Sequence, residues 1–422
     1  MVPKQRTKMD YRKRTSFRLN GLWILLISVI ALPALLTTIL VAVPAASPAT
    51  GAETADFLRS IFGPEPVAQI ESLSNWMRDA INRSLPSTHN GTPQVNWSSS
   101  AQVDLGRLAN TPDPMPTILP DAQLPQVQTV GTPSLAPTAA VEQSQIPPTS
   151  DVVTAAPQIG WQAYGPLMAR TILMVDPNRS YAGVALVRID LSGLRLHIMA
   201  GFIEPAHPSG IDKVIPNLGM VSPQDQDKLV AAFNGGFKAL HGHYGMMVDG
   251  ITFLQPVDNM ATVAVYQDGS VQMGAWGGDL LSSPDIVAFR QNCPPLIDAG
   301  QINPALSTDV RKSWGFTNNS DITWRTGLGI TQDRRYLIYA VGNGTTAQFL
   351  AEALQKAGAY MAMQLDINQY YAHFVTYSNT NNPPSSLGDP LTAEPLLDEM
   401  IDIRKLFLVP YPRDFFYLTL RK

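Results

Sequence analysis

Residues 21–46 limit most strongly how this chain can fold. They read GLWILLISVIALPALLTTILVAVPAA and hold no charged side chain. About 25 largely apolar residues suffice to cross a hydrocarbon layer as a helix. Pro33 would kink such a helix, which a spanning segment tolerates. Just ahead, residues 1–20 carry Lys4, Arg6, Lys8, Arg12, Lys13, Arg14 and Arg18 against Asp10. A cleaved signal peptide is the competing reading, with Ala45-Ala46-Ser47 as a passable cleavage site. The apolar region of a signal peptide is normally shorter, about 7–15 residues. The expectation is therefore an uncleaved, single-pass anchor. The basic tail would lie in the cytoplasm and everything beyond Ala46 would be extracytoplasmic.

The rest of the composition excludes several classes. The net charge is -4 and charged residues make up 15%. Such a surface does not suit phosphate-backbone binding, so no nucleic-acid partner is expected. With Cys293 as the only cysteine, neither a disulfide framework within the chain nor a Cys-rich metal site can form.

Residues 52–84 read as amphipathic helices. Phe57, Leu58, Ile61 and Phe62 precede Gly63-Pro64. Val67, Ile70, Leu73, Trp76, Met77, Ala80 and Ile81 then recur at helical spacing. They could bury their own face as a hairpin, pair with a partner chain, or lie on a membrane. The last is the weakest because Lys and Arg are not in excess on the polar side. Residues 85–159 are rich in Pro, Ser, Thr and Gln. They read as a semi-rigid linker or stalk that holds the next domain away from the bilayer.

Residues 160–422 are long enough for a sizeable core. LVRIDLSGLRLHIMAG reads as a hairpin about Ser192-Gly193, and TVAVYQDGSVQMGAW as another about Asp268-Gly269. Ser222-Pro223 opens a short helix. YLIYAV, a helix over 346–356 ended by Gly358, and YMAMQLDI form a βαβ unit. Hairpins around one such unit predict an α+β domain, with a mixed, largely antiparallel sheet and few helices.

Several residues could carry chemistry. Asn234-Gly235-Gly236-Phe237 follows an apolar strand; the glycines serve either close ligand approach or a tight bend. Asp366 ends an apolar strand, where a carboxylate must be paired, hydrogen-bonded or catalytic. Arg325-Thr326 begins a strand; Arg325 suits bidentate anion recognition or an ordinary salt bridge. His241-Gly242-His243 would put two imidazoles on one side of an extended segment. Without a third ligand at a recognisable spacing, a metal site is the minority reading, and no cofactor is expected. Cys293, with no basic partner, reads as a buried thiol.

Four segments occur in a telling order: AAFNGGFKALHGHYGMMVDG, NCPPLIDAG, WRTGLGITQDRRYLIYAVGN and TAQFLAEALQKAGAYMAMQLD. Together, over roughly residues 184–375, they resemble the phosphodiester glycosidase domain of uncovering-enzyme-like and exopolysaccharide-related bacterial proteins. Asn234 to Phe237 match the family's first motif, Arg325 and Thr326 the second, Leu365 and Asp366 the third. The third motif departs from the pattern. Ile367-Asn368-Gln369-Tyr370 stands where the family has a glycine-rich loop able to cradle phosphate with backbone amides.

The resemblance implies cleavage of the sugar C1–O bond of sugar-1-phosphodiesters. In that scheme Asp366 is base or nucleophile, Arg325 grips the phosphate, and Asn234 and Asn368 orient sugar hydroxyls. Gly235 and Gly236 permit close approach, and His243 is a spare proton carrier. The expected partners are a glycan or sugar phosphate and, through residues 21–46, the membrane. The alternative is a non-catalytic glycan-binding or scaffold protein that kept the fold and lost the loop.

Overall fold

The structure is a computed structural model. It describes residues 48–84, 97, 103–104, 159–307, 313–315, 319–379, 391–400 and 407–421. The basic tail at 1–20, the anchor at 21–46 and nearly all of the stalk at 85–159 lie outside them. Among the described residues no helix is long and apolar enough to cross a membrane.

The strands form three sheets. The eight-stranded sheet runs β13 (Gln301–Ile302), β12 (Ile297–Asp298), β16 (Met361–Gln364), β14 (Thr323–Ile330), β15 (Tyr336–Thr345), β4 (Gly183–Asp190), β3 (Met168–Met174), β2 (Gln162–Ala163). The six-stranded sheet runs β1 (Val103–Asp104), β18 (Leu391–Pro395), β17 (Phe374–Asn379), β6 (Leu229–Asn234), β19 (Phe415–Leu420), β5 (Leu194–Met199). The five-stranded sheet runs β10 (Val271–Ala275), β9 (Ala261–Tyr266), β11 (Ile286–Gln291), β7 (Met246–Val248), β8 (Ile251–Leu254). Every ladder between these strands is antiparallel.

The pattern of buried residues explains the layering. β4 is apolar almost throughout because both its faces are covered. Ala185, Val187 and Ile189 enter the core between sheets, while Val184 and Leu186 face the opposite side. In the core between sheets, Phe233 of β6 lies 5.3 Å from Tyr339 of β15 between ring centres. Phe374 and Phe416 pack on Phe233 at 5.7 and 5.1 Å. On the far side sits the helix at Ala347–Lys356. The Thr346 hydroxyl caps its start by accepting from the Phe349 N–H at 3.1 Å, and Gly358, at φ 97°, ends it.

The α+β reading stands in its coarse form: antiparallel sheets with few helices. Three details differ. The segment around Ser192-Gly193 is not a hairpin, because β4 and β5 join different sheets. The turn instead carries the chain from one layer to the next. The βαβ unit is split: β15 and β16 both pair antiparallel with β14, which lies between them. The helix opened by Ser222 is a 3-10 segment, Pro223–Lys228. The hairpin at Asp268-Gly269 is present as β9–β10.

Two N-terminal helices, α1 (Pro48–Phe62) and α2 (Pro64–Ser84), pack on this body. Asp56 pairs with Lys238, and Ser72 donates to Asp321. Asp79 receives Arg179 Nε at 2.8 Å and Nη2 at 3.0 Å.

Candidate active site

The three motifs meet where the sheets converge. β6 ends at Asn234, Asp366 lies two residues beyond β16, and Thr326 lies within β14. The buried Asn234 amide donates to Thr326 Oγ1 at 3.0 Å. Thr326 Oγ1 donates to the Asp366 carbonyl at 2.6 Å. The Asp366 N–H donates to the Gly235 carbonyl at 3.1 Å. Three segments distant in sequence, at 234–235, 326 and 366, thus form one hydrogen-bonded ring.

Asn234 is a strut in this ring. Its side-chain oxygen accepts from the Tyr339 hydroxyl at 3.0 Å and the His373 N–H at 3.2 Å. Those bonds occupy the amide expected to orient sugar hydroxyls. Arg325 and Thr326 point to opposite faces, as neighbours in a strand must. Thr326 faces the site. Arg325 has no solvent-accessible surface and donates to Gln364 Oε1 at 2.9 Å. Burial pulls its guanidinium down to about 10. In this conformation it is a buried core group, and another cation lies beside Asp366.

That cation is Arg413. Its Nη2 donates to Asp366 Oδ2 at 2.9 Å and to the Gly236 carbonyl at 2.8 Å. Asp366 Oδ1 accepts from the Asn368 N–H at 2.9 Å. Asp366 keeps 6% exposure. Burial opposes the Arg413 cation, but Asp366, with Tyr371 and Asp414 beyond it, outweighs burial and holds the guanidinium above its ordinary value. The guanidinium lies 4.4 Å from the Tyr371 ring centre, and Lys238 Nζ lies 5.6 Å from the same ring. Two cations therefore lie against one aromatic ring.

The glycine pair does not serve a bend that needs a left-handed backbone. Neither Gly235 nor Gly236 has a left-handed φ. A Cβ on Gly235 would sit 1.9 Å from Asp414 Oδ2, and one on Gly236 2.9 Å from Arg290 Nη2. Arg290 and Asp414 form a buried ion pair at 2.7 Å, and Asp414 Oδ2 also accepts the Gly236 N–H at 3.0 Å. The glycines make room for that pair. Phe237 closes the segment: Asn292 Oδ1 accepts its N–H at 3.2 Å, and Arg290 Nη2 donates to its carbonyl at 2.6 Å.

The loop after Asp366 is held by its own side chains. Asn368 Oδ1 accepts the Tyr370 N–H at 2.9 Å, and the Asn368 carbonyl accepts the N–H groups of Tyr371 and Ala372. These amides are not turned toward a ligand.

The two histidines do not form a pair on an extended segment. Residues 239–241 make a 3-10 turn, Gly242 has φ 142°, and His243 has φ 51°. His243 is exposed. His241 is partly buried, and burial pulls it down to about 3, with Asp56 opposing and Arg59, Arg413 and Lys238 adding. Among the described residues no group of three His, Cys, Asp or Glu side chains is placed to hold a metal ion. Cys293 is buried, and burial pushes its thiol up to about 12.

Sequence reasoning missed Arg413, Asp414 and Arg290. The available signal was two charges, Arg413-Asp414, directly before the apolar strand FFYLTL, and one more inside IVAFRQ. Charges inside or against such runs must find partners.

Asp366 thus stands at a strand end, paired with the buried Arg413, with Lys238 near the same tyrosine ring. Residues 227–383 match the family model described as NAGPA, phosphodiester glycosidase. This segment is therefore similar to the phosphodiester glycosidases, as the ordered motifs implied. Among solved structures the chain is similar to the catalytic domain of zebrafish N-acetylglucosamine-1-phosphodiester alpha-N-acetylglucosaminidase, auto-inhibited by its pro-peptide. Identity is 16% and the TM-score 0.37, over 63% of this chain and 87% of that chain. A hypothetical protein from Synechocystis matches at 10% identity and a TM-score of 0.38, over 63% and 64%. No curated protein matches the chain.

Proposed function

We propose that residues 160–422 form an extracytoplasmic hydrolase, tethered through residues 21–46. It cleaves the sugar C1–O bond of sugar-1-phosphodiesters in envelope or exopolysaccharide glycans. One observation carries the reading: the Asp366 carboxylate, held by Arg413 and the Asn368 N–H where the three motifs meet. The family match supports the reaction class.

A phosphate monoester leaves as a weak base, so C1–O cleavage needs less help from a general acid than ordinary glycoside hydrolysis. It does need a carboxylate near the anomeric carbon and positive charge at the phosphate. Asp366 takes the first role, as base toward water or as nucleophile. Lys238 and Arg413 take the charge role that the sequence assigned to Arg325. Lys238 now pairs with Asp56 of α1, so a substrate phosphate takes the place of that carboxylate. The Asn368 side-chain amide is the donor for a sugar hydroxyl. Gly235, Gly236, Phe237 and Thr326 hold the wall of the site in shape. His243, exposed and outside the Asp366 network, receives no proton-transfer role.

The full-length protein in detergent, assayed on a sugar-1-phosphodiester beside Asp366→Asn, tests this. The variant is expected to lose a factor on the order of 10²–10⁴. Equal turnover by both proteins removes Asp366 from the mechanism. A second reading, a glycan-binding protein without turnover, is favoured by the internally bonded loop amides after Asp366. Saturable glycan binding by an inactive wild type would select it.

A further inference from the structure

α1 and α2 turn their polar side toward the sheets and their large apolar side chains outward. Asp79 is 4% exposed and takes Arg179 and the Tyr181 hydroxyl. Asp56 and Ser72 also reach the body of the protein, through Lys238 and Asp321. By contrast Phe57, Ile61, Phe62, Leu73 and Ile81 are exposed, and Trp76 is 62% exposed. Ala55, Leu58 and Val67, with Ile70, pack together. A surface helix of a globular domain normally shows the reverse arrangement. An exposed apolar face of this kind marks an interaction surface.

The chain itself indicates what covers this face. The uncharged run ends at Ala46, and α1 begins at Pro48. A chain leaving a bilayer at Ala46 enters the hairpin at once. From there to Phe57 a helix advances only about 15 Å, so the apolar face begins near the bilayer surface and reaches the headgroups if the hairpin lies along it. Trp76 has the amphipathic ring favoured at a membrane interface.

We infer that the outward face of the α1–α2 hairpin rests on the extracytoplasmic surface of the bilayer that residues 21–46 cross. The opposite, ionic face of the hairpin then holds the sheet body, and with it the Asp366 site, close to the lipid surface. This inference rests on the anchor proposed above. It goes beyond that anchor by fixing the domain's orientation and height.

The test uses the full chain in phosphatidylcholine–phosphatidylglycerol vesicles, with and without brominated acyl chains. Trp23 lies in the uncharged run and would be quenched by insertion alone, so the comparison is made in a Trp23→Phe background. Brominated lipid is expected to quench the remaining fluorescence. Adding Trp76→Phe, a conservative change at an exposed site, is expected to abolish most of that quenching. Extraction at alkaline pH is run in parallel. Retention in the vesicles with quenching unchanged by Trp76→Phe overturns the docked face and leaves the anchor standing. Release from the vesicles overturns both. Cross-linking of two copies through the 57–81 face, with Trp76 unquenched, also overturns lipid docking and assigns the face to self-association.

Discussion

Arg413 and Asp366, 47 positions apart, are joined through a single nitrogen: Nη2 of Arg413 donates to the Asp366 carboxylate at 2.9 Å and to the Gly236 carbonyl at 2.8 Å. One guanidinium therefore fixes both the carboxylate and the glycine segment facing it. Arg413→Ala leaves a buried carboxylate unpaired. Removing one partner of a buried pair typically costs about 3–5 kcal/mol. Denaturant unfolding of the wild type and variant measures this. A loss below about 1 kcal/mol would mean that water reaches Asp366 freely, as it does at exposed pairs.

Gly235 and Gly278 give a paired steric test. At Gly235 an added methyl meets Asp414 Oδ2 at 1.9 Å, whereas at the exposed Gly278 the nearest atom is 3.6 Å away. Gly235→Ala is expected to destabilise by at least about 1–3 kcal/mol, the usual cost of overpacking. Gly278→Ala should stay within about 0.5 kcal/mol of wild type. Thermal unfolding of the two variants side by side decides the matter, and similar melting temperatures would refute the steric account.

His241 predicts a pH dependence with a definite sign. Its folded value, about 3, lies below the ordinary 6.5 because burial disfavours the imidazolium. As pH falls through 6.5 the unfolded chain takes up a proton that the folded chain refuses until about 3. Stability therefore falls with pH across that window. Between near-neutral pH and about pH 5, the wild type should lose more thermal stability than His241→Gln. Equal losses would show that other groups carry the dependence.

Cys293 should be silent in the folded protein. Burial pushes the thiol up to about 12 and leaves it no exposed surface. Iodoacetamide at mildly alkaline pH should leave the native protein unmodified and alkylate one thiol per chain in guanidinium. Labelling of the native protein at the rate of a free thiol would contradict this placement.

Much of the site could be read from the sequence because its framework is built from strand ends. Asn234 and Asp366 each follow an apolar run, and Thr326 lies early in another, so side-chain alternation and burial place them at the same end of the layers. Sequence could not say which strand lies beside which. An apolar run announces a strand but not its neighbour, so the insertion of β14 between β15 and β16 and the separation of β4 from β5 were invisible. Arg413 was overlooked because it stands before β19, well past the third motif. Its importance comes from a contact across sheets rather than from local spacing. The reason for Gly235 and Gly236 was hidden for the same cause, since the carboxylate that fills their space comes from residue 414.

The opposed directions of Arg325 and Thr326 constrain how this chain can change. Inserting or deleting one residue ahead of them in β14 would send the guanidinium toward Asn234 and the hydroxyl toward Gln364, exchanging the two environments at once. A substitution at either position disturbs one environment, whereas a change in strand length there disturbs both together. Length variation in this part of the molecule should therefore be confined to the turns on either side of β14.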